Sequence, residues 1–123
     1  MDTNEFEAVV REAIAALPPR IREELKDVVI VIEDRPQQRG ERGGLLLGLY
    51  QGVPLTEWGR QYSGKLPDKI TIFREPIERV AGSEEEIQRV IRTTVWHEIA
   101  HYFGFNHEQI RKMEKRWSKR SRD

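Results

Sequence analysis

All three histidines of this 123-residue chain fall within one stretch of eleven, HEIAHYFGFNH, residues 97 to 107. Two histidines four apart on a helix share one face, with Cβ atoms roughly 5 to 6 Å apart, so both imidazoles reach one metal ion at about 2.0 to 2.1 Å. His97 and His101 meet that condition. His107 does not, if the helix runs straight on: six more residues carry it about 9 Å along the axis and some 120° around it. The helix must therefore break before His107. Gly104 stands where the break is needed, because a glycine takes the left-handed conformation that turns a chain back at a helix end. The stretch dictates a helix that ends at Gly104, two metal-directed side chains before the turn and a third after it.

Glu98 lies about 100° around the helix from His97 and about 60° from His101, beside the pair. Zinc with three protein ligands keeps one position open and acidifies its water, and an adjacent carboxylate then takes the proton as the water attacks a carbonyl. On the same wheel Glu98 and His101 share the side of Ile87 and Ile91, which is apolar and should be buried. A carboxylate on a core face is costly, so polar or metallic company is expected there. Chance is a poor explanation: with 3 histidines, 9 glycines and this chain's glutamates, the full HExxHxxGxxH pattern arises on the order of 10⁻⁵ times per chain.

Around this stretch the chain reads as an α+β domain. Phe6, Val9, Val10, Ile14 and Leu17 recur at helical spacing after the capping candidates Thr3 and Asn4, and Pro18-Pro19 stops the run. A short helical turn from Pro19 to Lys26 leads into VVIVIE, 28 to 33, a β-branched strand. DRPQQRGERGG reads as an exposed loop, LLLGLYQG (45 to 52) as a second strand in which Gly48 marks a bulge or a close approach, and KITIFREP (69 to 76) as a third strand by alternation. Ser83 and Glu86 form a capping box before a long helix carrying Ile87, Ile91, Val95, Ile99 and Tyr102, and a last helix runs from about His107 to Lys119. No repeat or domain boundary interrupts residues 1 to 123, so one domain with a small sheet of three or four strands is expected.

With 21 basic and 21 acidic residues, the chain has no overall field to draw nucleic acid or a membrane surface. No apolar run approaches the roughly 20 residues of a membrane-spanning helix. The absence of cysteine and the acidic, amphipathic start MDTNEFEAVV predict a cytoplasmic protein.

HEIAHYFGFNH matches the extended zincin motif of the metzincins, and the chain as a whole resembles the small bacterial zincin-like family called domain of unknown function 1025, described as minimal metallopeptidases. The resemblance runs through the helix ending in LPP, IEDRP, LLGLYQGVPL, LPDKITIFREPI and TTVWHEIAHYFG. It implies an active-site helix under a small sheet, zinc ligated by His97, His101 and His107, Glu98 as catalytic base and a peptide or protein substrate. Many relatives carry an acidic residue in place of His107, which leaves Glu108 and Glu114 as alternative third ligands. Met113 comes too soon to be the Met-turn of a larger metzincin.

Two other functions fit parts of the pattern. A metal-dependent endoribonuclease would share the three-histidine spacing and suit the basic tail RKMEKRWSKRSR, but such proteins resemble HGxLH, with glycine where Glu98 stands. A zinc-holding interaction module without turnover would suit a domain with no second lobe to wall a cleft. Tyr50 and Tyr62 are candidate oxyanion donors, with packing the favoured reading for both, and Arg60 and Arg74 are open. Trp58, Trp96 and Trp117 read as packing residues. If LLLGLYQG lies at a sheet edge above the helix, it can accept an extended peptide by strand addition.

Overall fold

The computed structural model describes residues 1–39, 44–52, 68–106, 108–112 and 115. Helix α1 (Thr3–Ala15) and the short α2 (Pro19–Glu24) precede strand β1 (Val28–Glu33). Strands β2 (Gly48–Gln51) and β3 (Asp68–Phe73) follow, then α3 (Arg74–Val80) and the long α4 (Glu84–Tyr102). Residues 108–112 are again helical.

The three strands form one mixed sheet in the order β1-β3-β2, with β1 parallel and β2 antiparallel to the central β3. The inward face of β3, Ile70 and Ile72, lies on the apolar stripe of α4, and α1 adds Phe6, Val10 and Ala13 to the same core. This is the α+β arrangement expected from the sequence, with three strands among the described residues. Also among the described residues, no helix is long and apolar enough to cross a membrane.

Several boundaries differ from the expected ones, each for a local reason. The cap of α1 is Asp2, not Thr3 or Asn4: its carboxylate accepts the Glu5 N–H at 2.8 Å. Strand β2 begins only at Gly48, three residues later than expected. The third strand stops at Phe73, because REPIERV forms α3. Pro76 sits at the third position of that helix, where no intrahelical partner awaits its missing N–H, and Glu75 in the first turn suits the helix dipole. Arg74 continues the alternation of Ile70 and Ile72 with Thr71 and Phe73 past the end of the strand, which hid this helix.

An ion cluster fixes the corner where β3 becomes α3. Arg74 donates to Asp34 at 3.1 Å and to Glu78 at 3.1 Å, while Arg35 pairs with Glu75 at 2.6 Å. The Glu75 N–H also donates to the Asp34 carbonyl. Glu78 first and Asp34 second push the Arg74 guanidinium above its ordinary value. The segments IEDRP and FREP thus face each other across the ends of β1 and β3, and Arg74 has a structural role.

Candidate metal centre

Helix α4 starts as its sequence requires. The Ser83 hydroxyl accepts the Glu86 N–H at 3.2 Å, and the Glu86 carboxylate reaches back to the Gly82 N–H at 2.9 Å, one residue before the cap. Its end is a Schellman motif: Phe105 N–H donates to the Ala100 carbonyl, Gly104 N–H donates to that of His101, and Gly104 is left-handed at φ 95°. The break demanded by the histidine spacing is therefore present and made by the expected glycine. Beyond it Asn106 and Gln109 exchange side-chain-to-backbone hydrogen bonds at 2.8 and 2.9 Å, a second capping box that starts the following helix. That box was legible as N-x-x-Q and was missed.

Between these ends the helix brings His97 and His101 together. Their Nε2 atoms stand 3.2 Å apart, with ring centroids at 4.9 Å and planes inclined by 71°. Two nitrogens bound to one tetrahedral zinc at about 2.0 to 2.1 Å are separated by about 3.3 Å, so the rings already stand as ligands of one ion would. Two imidazoles are a donor set that suits zinc and its neighbours in the transition series.

Glu98 is 7% exposed, on the buried face of α4 as the wheel requires, while both histidines are half-buried. The edge strand lies directly on this turn. A Cβ on Gly48 would come within 2.8 Å of Thr94 Cγ2 and 3.1 Å of Glu98 Cγ. The close approach expected at Gly48 is therefore that of α4.

His107, Glu114, Arg60, Tyr62, Trp58, Met113 and Trp117 lie outside the described residues. Glu108 is described, and its carboxylate is exposed, 3.9 Å from Lys112. Among the described residues no group of three metal-ligating side chains is assembled. The Tyr50 hydroxyl donates to Asp68 at 2.9 Å and its ring meets Tyr102 edge-on at 5.9 Å, an interaction that favours packing over oxyanion binding. Asp68 went unnoticed in the sequence, where one aspartate after a proline carries no signal. Trp96 packs against the core as expected.

A sheet lying on a helix that presents HExxH, with both imidazoles turned to one point, defines a zincin-type domain. Residues 25–117 match the profile of the zincin-like metallopeptidases, and the chain belongs to that family. Its fold is shared with a conserved hypothetical protein from Thermus thermophilus, at a TM-score of 0.58 and 22% identity, over 82% of this chain and 92% of that one. No curated protein matches the chain.

Proposed function

We propose that the protein is a zinc-dependent peptidase acting on peptide or protein substrates. The convergence of His97 and His101 Nε2 at 3.2 Å, one residue from the buried Glu98, carries this reading. His97 and His101, with His107 as third ligand, would hold the zinc ion, which would supply Lewis-acid activation of water and of the scissile carbonyl. Glu98 accepts the proton of the attacking water and returns it to the departing amine, which completes hydrolysis with no net change in the protein. The buried position of Glu98 keeps the carboxylate from solvent that would screen it.

Strand β2 supplies the binding edge. The Leu47 carbonyl accepts from Phe73 N–H, so by antiparallel alternation Leu49 and Gln51 also turn their main-chain groups to β3, and those of Gly48 and Tyr50 turn away from it. An extended peptide laid along that side pairs with the main chain of Gly48 and Tyr50, beside the turn that carries Glu98. Family membership favours this chemistry over the ribonuclease alternative.

The test is Glu98→Gln, with hydrolysis of a fluorogenic peptide library and zinc content measured on the same preparations. Loss of hydrolysis by about 10²- to 10⁴-fold with zinc retained is expected for removal of a general base. Undiminished turnover in the variant would refute the assignment.

A further inference from the structure

Gly48 lies on β2 with its backbone outside the left-handed region, since only Gly52 and Gly104 have positive φ among the described glycines. Any residue could adopt its conformation. Space is what excludes a side chain: an added Cβ meets Thr94 Cγ2 at 2.8 Å, Glu98 Cγ at 3.1 Å and the Thr71 carbonyl oxygen at 3.3 Å. The first distance is below what Cβ atoms tolerate, and the second is tight.

These neighbours do not yield equally. The Thr94 hydroxyl donates to the Val90 carbonyl at 2.7 Å, which holds that β-branched side chain in one rotamer and its methyl against the strand. The Thr71 oxygen belongs to the central strand, bonded on both sides. The Glu98 stem is unbranched and turns about its own torsions. A side chain at position 48 therefore meets Thr94 first, and once that methyl is out of the way the Glu98 stem is the neighbour that can shift.

From these contacts we infer that Gly48 is a positioning residue for Glu98. By lacking a Cβ it lets the β2 backbone rest on the Glu98 stem and sets the height of the carboxylate relative to the strand edge. The inference rests on Glu98 being the general base. Neither Gly48 nor Thr94 is among the proposed zinc ligands, so zinc affinity should not follow changes at these two positions.

The experiment compares wild type with Gly48→Ala, Thr94→Ser and the double variant. Thr94→Ser keeps the hydroxyl bonded to Val90 and removes the methyl at 2.8 Å, so the double variant relieves the worst collision and leaves the tight contacts with Glu98 and with the Thr71 carbonyl oxygen. Melting temperature, zinc affinity by chelator competition, and kcat and KM on a fluorogenic peptide selected with the wild-type protein are measured. Crystal structures of wild type and double variant are compared.

Thr94→Ser alone should behave as wild type. In the double variant, melting temperature should recover and zinc affinity should stay at the wild-type value, while kcat stays on the order of 10²-fold low at little-changed KM, as for a catalytic group misplaced by about an ångström. The Glu98 carboxylate carbon should be displaced by more than about 0.5 Å. Recovery of kcat together with melting temperature would show a purely structural glycine and overturn the inference, as would loss of zinc affinity in a double variant of restored stability. If Glu98→Gln turns over like wild type, or wild type hydrolyses nothing, the peptidase reading fails instead, and the crystal structures decide alone: a displaced Glu98 sustains the link to Gly48, and a superposed one removes it.

Discussion

The two halves of α4 share one face, and only the second sets ionisable groups on it. In the first half, Ile87, Ile91 and Val95 are buried in the common core with Phe6, Val10, Ile70 and Ile72. The second half buries Ile99 and Tyr102 in that core as well, and adds to the stripe the buried Glu98, with half-buried histidines beside it and a strand backbone pressed close enough to require glycine. The first half removes apolar surface from water and stabilises the fold. The second half also takes an ionisable group out of water, which is costly unless partners replace the water. One amphipathic pattern thus spans a wholly apolar stretch and a mixed one, and substitutions in the two stretches should differ in what they change.

Substitutions can break that comparison, beginning with the largest effect. Ile91→Ala, at a fully buried position, should cost about 2 to 5 kcal/mol in urea unfolding. Zinc affinity of the folded fraction should be unchanged; a parallel loss would mean that the halves act as one unit. Gly104→Ala forces a side chain into φ 95° and should cost about 1 to 2 kcal/mol. If His107 completes the site after that turn, zinc affinity should also fall, on the order of tenfold, and chelator competition reads this directly. Glu98→Gln should leave stability within about 1 kcal/mol of wild type or raise it, because a buried charge is exchanged for a neutral isostere. A large destabilisation would instead make Glu98 a structural ion and blur the contrast. Smallest of all, Glu108→Gln removes an exposed pair with Lys112 and should change stability by less than about 0.5 kcal/mol. It should leave zinc affinity alone, and a loss would make Glu108 a ligand after all.

The meeting of His97 and His101, the burial of Glu98 and the helix stop at Gly104 were all legible in residues 83 to 107, because each follows from a repeat of 3.6 residues and from one glycine near its end. Strands β1 and β3 were legible for a similar reason, although the end of β3 was not. There the alternation continued into Arg74, and only the ion pairs to Asp34 and Glu78 show that the chain has already turned.

What local periodicity determined by itself is therefore which side chains share a face and, in α4, where that face ends. Tertiary structure alone decided which faces meet. Asp34 and Arg74 are 40 residues apart and Tyr50 and Asp68 are 18 apart, and no spacing rule links such pairs. Gly48 shows the limit most plainly. Its sequence announced a bulge or a close approach, but the partner, a turn of α4 some fifty residues on, exists only once the sheet has formed and laid its edge strand across that helix. Contacts of that kind are set by packing between elements, and packing leaves no period in the chain.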